Sequence, residues 1–122
     1  MKWSKLGRVF SPTGYIEWMA SHASVPIAHL VMGTSLRVYF SSRDRLNRSH
    51  TGYVDVDLVD PSDILDISKV PVLSPGSLGT FDDSGAMGTW LTKYDGREFL
   101  YYIGWNLGIT VPFRNAIGLA IA

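Results

Sequence analysis

No cysteine occurs among the 122 residues, so a disulfide scaffold, a thiol nucleophile and a cysteine zinc knuckle are all excluded. Neither sign of charge prevails: 11 Lys+Arg stand against 11 Asp+Glu. That balance gives no electrostatic support for a nucleic-acid partner or an acidic membrane surface. Long apolar runs are missing as well. Nothing approaches the roughly 20 residues of a membrane span, and Met1 to Phe10 holds no stretch of leader-peptide length. A soluble, cytoplasmic chain is therefore expected. A Gly-rich phosphate loop, a G-x-S-x-G elbow and a dinucleotide fingerprint are all lacking, so no cofactor is expected. His22, His29 and His50 do not have zinc-ligand spacing, and no metal site is expected.

A core supply is present. Hydrophobic residues make up 46% and charged residues 18%, which is too apolar for a disordered chain. Twelve Gly and six Pro are scattered throughout, and no window shows a 3.6-residue apolar stripe. Short runs separated by turn residues dominate, which predicts an all-β chain. Pro26 to Met32 is closed by Gly33-Thr34-Ser35. Leu36, Val38 and Phe40 then alternate with Arg37 and Tyr39. Val54, Val56 and Leu58 alternate with Asp55 and Asp57, and Ile64 to Ile67 reads as a short outer strand. Gly85 to Tyr94 is ended by the hairpin signal Asp95-Gly96, and Glu98 to Trp105 and Ala116 to Ile121 follow. The chain thus reads as two successive meanders repeating at about 63 residues, Leu36 to Phe40 matching Phe99 to Ile103. Two units of propeller-blade type fit this pattern. A single sandwich or meander of six to eight strands fits it too.

Three stretches carry candidate chemistry. Ser41 to His50 packs Arg43, Asp44, Asn47, Arg48 and His50 into one post-strand segment. Arg forks suit carboxylates, phosphates or vicinal hydroxyls, and Asp and Asn add acceptors. The same composition suits a solvated hairpin loop. Asp82 and Asp83 lie in the Gly-bounded loop Gly79 to Gly85 and could act as acid, base or electrostatic stabiliser. As neighbours they point to opposite sides, so at most one should face a given site; an ordinary Asp-Ser-Gly turn is the plainer reading. His22 could shuttle a proton or hydrogen-bond a ligand. Trp105-Asn106 ends the strongest strand, where an indole could stack on a sugar face. At least two of Trp3, Trp18, Trp90 and Trp105 are expected in the core.

Jointly, Ser21-His22-Ala23, Arg37 to Asp44, Asn47 to His50, Gly79 to Gly85 and Leu100 to Trp105 resemble a known group. They are similar to the N-terminal part of glycosidase-like five-bladed β-propeller proteins, related to glycoside hydrolase families 43, 32 and 130. The resemblance implies a partial propeller domain over residues 1–122, with a first blade at 1–70 and a second at 71–122. It implies a saccharide ligand, with His22, Arg43, Asp44, Asn47, Arg48, His50, Trp105 and Asn106 as binding residues. Asp83, with Asp82 beside it, takes the catalytic position of the second blade. The first-blade position reads Ser21 to Pro26 and holds no carboxylate, and a third-blade acid would lie beyond Ala122. A carbohydrate-binding module that is not a competent hydrolase by itself is therefore expected, with a non-catalytic self-assembling protein as the alternative. Two blades leave open sheet faces, so homo-oligomerisation is expected.

Overall fold

The computed structural model describes residues 1–122 and is all-β. Seven strands follow in order: β1 (Ser21–Met32), β2 (Ser35–Arg43), β3 (Ser49–Asp57), β4 (Ile64–Ile67), β5 (Gly85–Tyr94), β6 (Arg97–Leu107) and β7 (Phe113–Ile121). Every strand expected from alternation is present. The first begins at Ser21 rather than Pro26. Register shifts at Ser21/Ser24 and Ser24/Ile27 carry β1 past the proline, and His22 (φ 66°) and Val25 (φ 52°) take left-handed backbone there. The β5–β6 turn takes left-handed backbone at both Asp95 (φ 48°) and Gly96 (φ 74°), as a tight two-residue hairpin requires.

β1–β2–β3–β4 form one antiparallel meander and β5–β6–β7 another. Strands Ser21 and Gly85, Ser35 and Arg97, Ser49 and Phe113 open corresponding positions about 63 residues apart. The two parts join into one mixed sheet through a single parallel pairing, Ser49 with Gly85. They also meet side on. The fully buried Thr51 hydroxyl donates to the Ala86 carbonyl at 2.9 Å and accepts from the Gly88 amide at 2.8 Å. His29 of β1 reaches Glu98 of β6 at 3.5 Å.

The core proper belongs to the first part. Phe40, Val54 and Val56, the apolar side of β2 and β3, are closed by Trp18 and Met19 from the N-terminal segment, with Phe10, Ile16, Ile64 and Ile67 around them. The other side of that sheet pairs Asp55, buried, with Arg37 in a two-pronged contact at 2.8 Å per bond; Arg37 also lies 3.6 Å from the centre of the Tyr53 ring. Asp55 is thus matched by a cation on the next strand instead of facing water.

The second part is built differently. The side of β5–β7 turned toward the first part carries Ala86, Gly88, Leu100, Tyr102 and Gly118. Gly118 lies under the Tyr102 ring, where any side chain would collide. The opposite side carries Met87, Trp90, Tyr101, Ile103, Ile117 and Leu119; Arg43 and Asn47 approach its Met87–Ile103 end, and the rest stands open, with Trp90 66% and Ile117 84% exposed. Of the four tryptophans only Trp18 is fully buried, against the expected two or more. Trp90 has the right spacing for a core residue but stands on the uncovered side.

Candidate functional site

One end of the fold gathers the loops that matter. The Ala20 amide donates to the Arg43 carbonyl (2.9 Å), Ser49 to Ser84 (3.1 Å), and Ser84 to Trp105 (3.2 Å). The Asn106 side-chain amide donates to the Thr80 carbonyl at 3.2 Å. The start of β1, the β2–β3 turn, the loop before β5 and the end of β6 are therefore neighbours. All ten sequence-predicted residues lie at this end. They do not form one cluster.

Asp44, Arg48 and His50 close on one another. Asp44 is buried. Its Oδ1 accepts from the Leu46 and Arg48 amides, both at 2.9 Å. Its Oδ2 accepts from Arg48 Nε (2.9 Å) and His50 Nε2 (3.1 Å). Burial pushes the Asp44 carboxyl up, but the bonds from His50, Arg48 and Leu46 outweigh it and hold it below the ordinary carboxylate range. With Asn47 in left-handed backbone (φ 62°), this is a side-chain-pinned turn. A cleft of about 320 Å³ opens beside it, lined by Glu17, Trp18, Lys69 and Pro71 among others.

The two adjacent carboxylates diverge. Asp82 points inward and is buried, accepting from the Tyr102 hydroxyl (3.0 Å) and the Thr80 hydroxyl (2.8 Å). Burial and this carboxylate push the Tyr102 phenol up. Asp83 is half-exposed and accepts from the Gly79 amide (2.9 Å) and the Ser84 hydroxyl (2.8 Å). Those two bonds hold its carboxyl below the usual value, with the Arg114 charge adding to the effect. Arg114 in turn donates to Asn106 Oδ1 and to the Leu107 carbonyl, both at 3.2 Å. His22 stands apart, exposed, its Nδ1 2.8 Å from the Ser21 hydroxyl.

The third group lines a cavity of about 600 Å³. Arg43 at the end of β2 and Asn47 in the β2–β3 turn meet Trp105, Phe113 and Asn115, with Met87, Ile103, Leu107 and Pro112 as further walls. Trp105 and Phe113 pack edge to face at 6.4 Å, and the Arg43 guanidinium lies 5.8 Å from the Trp105 ring centre. No carboxylate pairs with Arg43, in contrast to Arg37 and Arg48. Gly85 sets the indole in place, because a Cβ there would fall on the Trp105 ring. Phe113 and Asn115 were not singled out by sequence, although their register was readable. β6 and β7 fold about residues 108–112, which puts Leu107 opposite Phe113 and Trp105 opposite Asn115. No three His, Asp or Glu side chains converge in a way that could hold a metal ion. No helix is long and apolar enough to cross a membrane.

No protein-family model matches the chain. It is similar along its whole length to two proteins of Mycobacterium tuberculosis, each 47% identical over 122 residues. They are the uncharacterized protein MT1551 of strain CDC 1551 / Oshkosh and the uncharacterized protein Rv1502 of strain ATCC 25618 / H37Rv. The chain spans 41% of the length of these relatives.

Proposed function

We propose that the chain is the two-blade portion of a glycosidase-like five-bladed propeller, and that it binds a saccharide in the Arg43–Trp105–Phe113 cavity without being a competent hydrolase by itself. The observation that carries the reading is the composition of that cavity. An edge-packed aromatic pair offers an apolar platform for the C–H face of a sugar ring. Unpaired Arg43, with Asn47 and Asn115, supplies donors and acceptors for hydroxyls, and a volume near 600 Å³ admits one or two sugar units. Two matching meanders support the propeller assignment. A cytoplasmic location belongs to the same proposal and is checked by cell fractionation.

The carboxylates argue against hydrolysis by this chain alone. Glycoside hydrolysis needs one carboxyl that stays protonated as general acid and a second that stays ionised. Asp83 is held ionised by its two donors, which suits an electrostatic or base role only. Asp82 and Asp44 are engaged within the fold, and none of the three lines the cavity.

Thermal-shift titration and a glycan array, with neutral and acidic saccharides, test the reading. Stabilisation by at least one saccharide is expected, lost in Trp105→Ala and Arg43→Ala and retained in Asp44→Asn at matched temperature offset. Silence of the unsubstituted chain across both assays sinks it. A second reading, a non-catalytic self-assembling protein that keeps these residues as a relic, is favoured by the uncovered side of β5–β7.

A further inference from the structure

Taking the cavity as a saccharide site, we propose that Thr51, which does not line it, is its positioning residue: the Thr51 hydroxyl sets how Arg43 stands against Trp105 and Phe113. The cavity is divided between the two parts of the molecule. Arg43 and Asn47 come from the first; Trp105, Phe113 and Asn115 come from the second. Arg43 meets the indole only through space, 5.8 Å from the ring centre. That spacing is inherited from the seam between the parts.

Two short paths lead from Thr51 to the two sides of the site. On one, Thr51 pairs with Ser41, and Arg43 follows two residues on, on the same side of β2. On the other, the Thr51 hydroxyl donates to the Ala86 carbonyl and accepts from the Gly88 amide. Gly85, next to Ala86, pairs with Trp105 and seats its indole. Main-chain pairing across the seam is limited to Ser49 with Gly85, so beyond that point the Thr51 side chain stands in for the ladder. A hydroxyl suits this task because it both donates and accepts. Thr51 is also fully buried, where no water competes for either bond. A site whose polar and stacking groups sit on separate parts needs such a tie, since its contacts tolerate only about 0.5 Å of misplacement.

Three substitutions in the 122-residue chain test this. Thr51→Val keeps the shape and removes the hydroxyl, and Thr51→Ser keeps the hydroxyl and removes the methyl. Val54→Ala weakens the first core away from the seam. Each is titrated, at a temperature where all are folded, with the strongest binder from an array of neutral and acidic saccharides. The Trp105 indole N–H resonance, assigned through Trp105→Phe, is followed without saccharide. Thr51→Val should weaken binding roughly tenfold and move that resonance toward its position in Arg43→Ala. Thr51→Ser should restore both, and Val54→Ala should leave both unchanged despite a lower melting temperature. Should Thr51→Val fail to fold, Gly88→Ala wedges the same seam, because its methyl would stand 3.2 Å from both Thr51 Cγ2 and Leu100 Cδ1. A smaller loss in the same direction is expected there. Unchanged affinity and an unchanged resonance in the seam variants overturn the positioning role while the saccharide reading stands. Equal losses in Thr51→Val and Val54→Ala overturn it too, as general destabilisation. Silence of the unsubstituted chain toward every saccharide removes the reading of the cavity, and the role of Thr51 with it.

Discussion

β2–β3 and β6–β7 are written in the same alternating code, yet one pair makes a core and the other a bare face. Phe40, Val54 and Val56 are almost wholly buried, whereas Ile117 and Leu119 stand in water. The difference lies outside the strands. Residues 10–19 fold back over the first sheet and lay Phe10, Ile16, Trp18 and Met19 on it; nothing in the chain does this for the second. An amphipathic strand has a side to bury, and whether it is buried depends on what arrives there.

The contrast can be broken at its strong end first. Phe40→Ala should cost about 3–5 kcal/mol, because the closed first core cannot collapse around the lost ring. Urea unfolding at low protein concentration measures it. A cost below about 1 kcal/mol would mean that the first core is as open as the second face.

Thr51→Val probes the seam between the halves. It strands the buried Ala86 carbonyl and Gly88 amide, and a loss of roughly 2–4 kcal/mol follows from two unmet hydrogen bonds. Hydrogen exchange should show β5 and β6 opening before β2 and β3 in this variant. Uniform protection across all strands would show that the halves do not open separately.

Asp44→Asn belongs to the first region alone, and about 1–3 kcal/mol is expected from the weakened bonds to Arg48 and His50. Its pH dependence has a definite sign. The Asp44 carboxyl is held below its ordinary value in the fold, so its contribution is complete above about pH 4. That contribution is lost as pH falls through the lowered value. Melting temperatures of the two proteins should therefore converge in acid, and a constant offset from pH 7 down to pH 2 contradicts the network.

Gly85→Ala acts on the second region by pushing the Trp105 indole from its seat. About 1–3 kcal/mol is expected from overpacking, with a shifted fluorescence maximum and loss of any saccharide-induced stabilisation. Ile117→Ala closes the series: in the unassociated chain it should change stability by less than about 0.5 kcal/mol. A cost comparable to Phe40→Ala at low concentration would show that this face is covered after all.

Most of the fold was legible because each strand announces itself locally. Period-2 alternation at Leu36 to Phe40 and Val54 to Val56, and the left-handed turn at Asp95-Gly96, need no distant partner to be read. The candidate site was legible only as a list. Arg43 and Asp44 are neighbours in sequence, yet one faces the aromatic cavity and the other is locked into the β2–β3 turn. Asp82 and Asp83 likewise part company, one inward to Tyr102 and one outward to Gly79 and Ser84. Phe113 and Asn115 escaped notice because their role depends on lying across the ladder from Leu107 and Trp105.

The amino-acid order by itself determined the all-β character, the seven strands and the two-fold repetition of the meander, since these follow from side-chain alternation and turn chemistry within a few residues. The tertiary structure alone decided which apolar sides are core, which acids are spent on internal hydrogen bonds, and that Arg43 meets Trp105 and Phe113. Those outcomes depend on contacts between residues far apart in the chain, and local spacing carries no record of which surface will come to rest on which.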